Sequence, residues 1–191
     1  SMTWKVDYSH SHVQFTTRHM MVANVRGHFG KYTVNADINE KDPTQSRLEV
    51  EIDVASLNTR DEKRDAHLHS PDFFHAKEFP LITFKSTRGV KVDDTHGKMY
   101  GDLTIRGVTK EVALDVEYLG QAKSPWGSLS AGFTANTKIN RKDWGPTWNV
   151  GLETGGFLVS DEVKIDIDIE FTNVPEAAPA PAPAPAVAVT A

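Results

Sequence analysis

The sequence contains no cysteine, which excludes disulfide bonds, thiolate nucleophiles and cysteine-ligated zinc sites. It also lacks any apolar run approaching the ~20 residues that a membrane-spanning helix needs. Basic residues are not in excess, because 21 Lys and Arg stand against 26 Asp and Glu and the formal net charge is −5. Proteins that bind along the phosphates of a nucleic acid normally present a basic face, so nucleic acid is not an expected partner.

Catalytic motifs are missing as well. The sequence has no glycine-rich phosphate loop, no nucleophile elbow and no zinc-protease motif. Its many carboxylates mostly alternate with aliphatic residues, which places them on the solvent face of strands and not in an acid–base pair. We therefore predict a protein that is not an enzyme, with no catalytic residues, no metal site and no cofactor.

Alternation of apolar and polar residues dominates what the sequence does contain. It is clearest at 48–54, 112–118 and 163–171, where one face is aliphatic and the other mostly charged, as in half-buried antiparallel strands. Weaker alternation recurs at 13–15, 32–38, 82–86, 99–105 and 131–139. About eight long strands with one buried face predict an all-β fold, an extended antiparallel β-barrel in which closure removes exposed edges.

Two segments depart from this pattern. Residues 59–68 predict a short helix capped by Thr59, placed to cover one mouth of the barrel. Residues 175–191 are rich in proline and alanine, and such low-complexity sequence cannot build a core. We therefore divide the chain into a barrel domain at 3–174 and a tail at 175–191 that acts as a linker or as a partner-binding segment.

Paired histidines raise the possibility of a metal. On a strand, residues two apart share a face, so His10 and His12 could ligate one ion. On a helix, His67 and His69 point in different directions. Spacing does not assemble the three ligands of a catalytic zinc, so hydrogen-bonded structural histidines are favoured, and a metal-dependent hydrolase using His10 and His12 is kept as an alternative.

Order and spacing of several motifs in series resemble the YceI-like family, the lipocalin-like polyisoprenoid-binding proteins. The matching segments are DYSHSHVQF at 7–15, RHM at 18–20, VRGHF at 25–29, ASLNT at 55–59, RDAHLHSPDFF at 64–74, FPLITFKS at 79–86, GDLTIRGVT at 101–109, INRKDWG at 139–145 and VSDEV at 159–163. The proline/alanine tail lies outside the pattern.

The resemblance implies an eight-stranded barrel with a helix near one end and an apolar tunnel for an isoprenoid or a similar long-chain lipid, often in a homodimer. Aromatic residues on or near the apolar faces are the candidates that line the tunnel and contact the ligand: Phe15, Phe29, Phe73, Phe74, Phe84, Phe133 and Trp144. Cationic or hydrogen-bonding groups near the mouth are the candidate contacts of the head group: Arg18, His19, Arg64, His67 and Arg141.

Simpler interpretations of the same residues stay open. The aromatic residues could be plain core packing, since eight strands permit a filled barrel or a cavity. The arginines could form surface ion pairs, for example Arg64 with Asp61 or Asp65. A filled barrel with a partner-binding tail is a third possible function. If Met2 is the native start we expect a cytoplasmic protein, and a periplasmic or secreted one if the sequence was trimmed.

Overall fold

The computed structural model describes residues 3–19, 23–145 and 160–174. These ranges contain eleven β-strands and one α-helix. The elements are β1 Thr3–Val6, β2 His12–His19, β3 Ala23–Phe29, β4 Tyr32–Asp37, β5 Arg47–Asp53, β6 Leu57–Asn58, α1 Glu62–His69, β7 Leu81–Lys91, β8 His96–Ile105, β9 Val108–Lys123, β10 Leu129–Asn140 and β11 Glu162–Val174. The predicted tail at 175–191 lies outside the described residues.

All strands belong to one antiparallel sheet. Its order is β4-β5-β7-β8-β9-β10-β11-β2-β3-β6, and β1 pairs with the end of β11. The sheet curls into a half-barrel. A single 3₁₀ turn at Val54–Ser56 connects β5, the second strand of this order, to β6, the last one. The predicted all-β antiparallel class is confirmed.

Three strands explain why the described part holds more strands than the eight counted from alternation. Two of them, β1 and β6, have four and two residues, too few to show a period. The third is β3, in which Gly27 and Phe29 are the buried positions. Because glycine replaces an apolar side chain at one of these two positions, the pattern of the strand is weakened.

Inward-facing aliphatic residues form the core as the alternation predicts. Val50 and Ile52 of β5 and Val112 and Leu114 of β9 are buried, while charged neighbours such as Glu51 are exposed. These side chains belong to one continuous cluster that runs through the sheet. Burial of each contributes about 1.5–3 kcal/mol relative to exposure, so the inward faces supply most of the driving force for the curl.

Two aromatic rings lie close against a glycine of the neighbouring strand. Gly27 pairs with Phe15, and a Cβ at Gly27 would come within 2.3 Å of the Phe15 ring. A Cβ at Gly101 would be 2.4 Å from the Phe84 ring. A larger residue at either glycine would push the ring away from the strand, so these glycines determine how far the two rings project into the interior.

The helix lies where the sequence predicts it, but it has a different cap. It begins after Asp61, whose carboxylate accepts a hydrogen bond from the backbone N–H of Arg64. Thr59 is instead buried and donates its backbone N–H and its hydroxyl to the Asp65 carboxylate, at 3.0 and 2.5 Å. The prediction of Thr59 as the cap is therefore wrong, because its hydroxyl donates to the side chain of Asp65 in the first turn and does not accept from a backbone N–H of the helix.

The turn between β7 and β8 gives a pH-dependent prediction. Asp93 accepts hydrogen bonds from the backbone N–H groups of Thr95 and His96, and from His96 Nδ1 at 2.9 Å. The first of these bonds, together with the His96 side chain, lowers the pKa of Asp93 to about 2, and the Asp93 carboxylate raises the pKa of His96 above its ordinary 6.5. The stability from His96 is therefore present below pH 6.5 and is lost as the pH rises through its raised pKa.

We expect an NMR titration of the imidazole protons to place the His96 pKa above 6.5. The variant Asp93→Asn should return it toward that value, because the charge that favours the imidazolium is removed. A His96 pKa that is the same in both proteins contradicts the assignment.

Candidate functional site

A seam in the curled sheet separates β4 from β1. β4 ends the strand order and pairs with β5, while its other edge lies beside β1. Two side-chain hydrogen bonds cross this region: the Val34 N–H donates to the Tyr8 hydroxyl at 3.2 Å, and Trp4 Nε1 donates to Glu40 Oε1 at 3.1 Å. The seam is thus held by isolated side-chain contacts, where other neighbours in the sheet are joined by backbone ladders.

A cleft of about 550 Å³ opens along this seam. Its apolar wall consists of residues that belong to the core cluster or pack against it: Trp4, Val6, Val34, Ala36 and Phe171. Its rim is polar and mixed in charge, with Lys5, Asn35, Asp37, Arg47 and Glu49. The cleft therefore leads from solvent to the apolar face of the sheet, and its volume lies in the range of ~300–1,000 Å³ typical of ligand sites.

The predicted apolar lining residues lie on or next to the core. Four are buried (Phe29, Phe73, Phe84 and Trp144), and three are half-buried (Phe15, Phe74 and Phe133). Six of the seven belong to the core cluster or pack against it, while the Phe73 ring instead stacks edge-on with the His67 ring, their centroids 4.8 Å apart. The contact of these rings with a ligand stays a prediction.

Two of the predicted head-group residues meet at Ser160. The backbone N–H of Ser160 donates to the Arg18 carbonyl at 2.9 Å, and Arg141 Nε donates to the Ser160 carbonyl at 3.0 Å. Arg141 is buried and also donates to Asp161 at 2.9 Å. The Arg18 side chain is exposed, so of these two guanidinium groups it is the more accessible to a ligand from solvent.

The other predicted head-group residues lie on or near α1. Arg64 donates from Nε to the Thr59 hydroxyl at 2.8 Å and from Nη2 to the Thr59 carbonyl at 2.7 Å. Its guanidinium thus fixes the connection between β6 and α1 through Thr59. The simpler expectation was an ion pair of Arg64 with Asp61 or Asp65, and the guanidinium donates to Thr59 instead. His67 lies on α1, and its ring is in edge-on contact with the ring of Phe73. The side chain of His19 is outside the described part of the structure. Binding of a head group by any of these residues stays a prediction.

The expectation that His10 and His12 share one face of a strand is wrong. His10 ends a 3₁₀ turn at Tyr8–His10 that Asp7 caps, and β2 begins only at His12. His10 Nδ1 lies 2.8 Å from Asp7 Oδ2 and 3.4 Å from Glu170 Oε2. The geometry therefore joins His10 to two carboxylates that the sequence did not single out, and the metal-dependent alternative loses its proposed pair of histidines.

The chain matches the YceI-like domain over residues 4–171. It belongs to the YceI-like family. UPF0312 protein SA2479 of Staphylococcus aureus is 39% identical to this YceI-like chain over 167 residues, which cover 87% of the chain and 95% of the relative. The resemblance carried by the sequence motifs is confirmed.

Solved structures show the same fold. The YCEI protein of Campylobacter jejuni is 38% identical, with a TM-score of 0.72 and coverage of 83% of this chain and 90% of that one. A polyisoprenoid binding domain from Saccharophagus degradans is 16% identical, with a TM-score of 0.63 and coverage of 90% and 98%. At that identity the likeness shows the fold alone. Among the described residues, the helices are too short and too polar to cross a bilayer.

Proposed function

We propose that this YceI-like protein binds a polyisoprenoid or a similar long-chain amphiphilic lipid against the apolar inner face of its sheet, as a carrier, storage or sequestration protein. The observation that carries the proposal is the cleft of about 550 Å³ between β1 and β4, whose inner wall is continuous with the hydrophobic core. The Saccharophagus degradans domain, a polyisoprenoid binding domain of the same fold, supports the choice of ligand.

The physical driving force is burial of the hydrocarbon. A long prenyl chain exposes hundreds of Å² of apolar surface in water, and its removal from water contributes about 25 cal/mol per Å². Trp4, Val6, Val34, Ala36 and Phe171 offer an apolar wall for this purpose. Such a site retains its ligand without chemistry, which agrees with the absence of a recognisable catalytic motif in the sequence.

The seam also suggests how the interior becomes accessible. The two hydrogen bonds across the seam are isolated side-chain contacts, one from Trp4 of β1 to Glu40 and one from Val34 of β4 to Tyr8. The edges of β1 and β4 can therefore separate at a smaller cost than strands that share a full ladder. A flexible hydrocarbon chain then enters from the side, and its polar end stays at the charged rim near Lys5 and Arg47. A homodimer stays a prediction.

Organic extraction of protein purified from cells, followed by mass spectrometry, tests the binding function directly. We expect a long-chain lipid near one equivalent per chain. Repeated extraction without lipid, together with no binding of a fluorescent long-chain polyene probe by the delipidated protein, contradicts the proposal.

Filling the cleft should weaken binding strongly. Ala36 is half-buried in the cleft wall, and Ala36→Trp places a large ring where the ligand is proposed to lie. We expect at least a tenfold loss of probe affinity in a fluorescence titration, because the guest loses most of its apolar contact. Ala55→Trp, at an exposed position outside the cleft, is the matched control and should bind like the original chain. Equal affinities of both variants, with both folded by circular dichroism, remove the cleft from the proposed site.

A further inference from the structure

Three metal-ligating side chains converge outside the proposed lipid site. They are Asp7, His10 and Glu170, and one ligand atom from each lies within 4.8 Å of the other two. Both carboxylates approach the same ring nitrogen of His10, Nδ1, at 2.8 and 3.4 Å. One N–H can donate a good hydrogen bond to only one of them, so the second carboxylate is not explained by that hydrogen bond.

The backbone holds these three side chains in place from both ends of the chain. The Asp7 N–H donates to the Glu170 carbonyl at 2.8 Å, and the Glu170 N–H donates to the Ser11 hydroxyl at 3.1 Å. The same Ser11 hydroxyl donates to the Asp7 carbonyl at 2.7 Å. The turn that carries His10 is thus fastened to β11, so the three ligand atoms are pre-positioned by backbone contacts.

A second histidine shows what distinguishes this cluster. His96 also has two carboxylates nearby, but Asp93 approaches Nδ1 at 2.9 Å while Glu117 approaches Nε2 at 3.9 Å. The two ring nitrogens of one imidazole point away from each other, so one ion cannot take His96 and both of these carboxylates. At His10 both carboxylates approach the same ring nitrogen, so one ion is able to contact a ligand atom of all three residues.

We propose that Asp7, His10 and Glu170 form a binding site for a borderline divalent transition metal ion such as Zn²⁺. One imidazole nitrogen and two carboxylate oxygens are ligands that zinc accepts. On binding, the imidazole is neutral and His10 Nδ1 coordinates through its lone pair, so any proton on this nitrogen passes to solvent. The site joins the N-terminal turn to β11.

The surroundings leave room for a further ligand. His10 and Glu170 also line a surface cleft of about 370 Å³, together with Asp168 and the Leu119–Ala122 part of β9. Three protein ligands and a side open to this cleft are the arrangement in which zinc keeps an exchangeable position. A small anion or water completes the coordination there. This cleft is separate from the one at the β1–β4 seam, so the metal site does not depend on lipid binding.

Isothermal titration of the protein with ZnSO₄, carried out without an affinity tag and after EDTA treatment, tests the site. We expect one equivalent of zinc per chain, and its loss in His10→Ala and in Glu170→Gln. The second variant keeps the shape of the side chain and removes only its charge, so it reports on the site even if His10→Ala unfolds. His96→Ala is the matched control and should retain the full equivalent.

A thermal readout checks that the ion binds where we place it. Binding to the folded chain alone raises Tm with increasing zinc, and we expect this rise in the original chain and in His96→Ala but not in Glu170→Gln. Zinc binding below one tenth of an equivalent at 100 μM free zinc, or equal binding by the original chain and Glu170→Gln, overturns the proposal. Equal losses in His96→Ala and His10→Ala do so too.

Discussion

Replacing Trp144 by alanine is expected to lower the free energy of unfolding by about 3–5 kcal/mol, the range for truncation of a large buried aromatic residue. Trp144 is 3% exposed, and its indole Nε1 donates to the Leu103 carbonyl at 3.0 Å. It ends a 3₁₀ turn that follows β10 and packs into the core cluster. The substitution removes both the apolar contact and the hydrogen bond, and it leaves a cavity where the turn meets β8.

Two further substitutions separate these contributions. Trp144→Phe keeps most of the apolar volume but loses the N–H donor, so a cost of about 1–3 kcal/mol is expected. Trp126→Ala is the control for loss of an indole as such, because Trp126 is 89% exposed and a surface substitution usually changes stability by less than ~0.5 kcal/mol. Urea unfolding followed by far-ultraviolet circular dichroism measures all three. A cost at Trp144 no larger than that at Trp126 contradicts the assignment of Trp144 to the core.

Much of this fold is predictable from the sequence because long strands with one buried face leave a local signal. β5, β9 and β11 were recognised from alternation alone, since each of them places aliphatic residues on one face over at least seven residues. β3 was not, because Gly27 takes an inward position and contributes no side chain to the pattern. Local periodicity identifies a strand only where side chains carry it.

The site is less predictable because it depends on contacts between segments distant in sequence. The cleft lies between β1 and β4, and its wall includes Phe171 from the other end of the chain. The acidic partners of His10 include Glu170, 160 residues away. Spacing within one segment suggested His12 as the partner instead, and the cap formed by Asp7 moves His10 off the strand. Pairings of this kind are fixed by sheet register, which no single segment of sequence contains.

The same limit applies to the residues around Thr59. The sequence places Thr59 next to a run of charged residues and so suggests a helix cap, or an ion pair for Arg64. In the structure Thr59 is 4% exposed, and its polar groups are satisfied by Asp65 and Arg64. The burial of Thr59 determines which interpretation holds, since a buried backbone N–H and hydroxyl need partners. Arg64 is therefore a structural residue whatever contact it makes with a ligand.

Asp65→Ala is accordingly expected to lower the free energy of unfolding by about 2–3 kcal/mol, because it leaves two buried donors of Thr59 without an acceptor. The Asp65 carboxylate accepts from the Thr59 backbone N–H at 3.0 Å and from its hydroxyl at 2.5 Å. That hydroxyl in turn accepts from Arg64 Nε. The loss of Asp65 therefore removes the group that orients the Thr59 hydroxyl toward Arg64, and the helix keeps only the Arg64 contacts to Thr59.

Two matched variants distinguish this network from ordinary helix capping. Asp61→Ala removes the cap that accepts from the Arg64 N–H and should cost about 1 kcal/mol. Asp65→Asn keeps one carbonyl oxygen as an acceptor and should cost less than Asp65→Ala, whereas removal of charge alone would make the two equally unstable. If urea unfolding shows that Asp61→Ala is the more damaging of the two alanine variants, the helix is held by its cap and not by the buried Thr59.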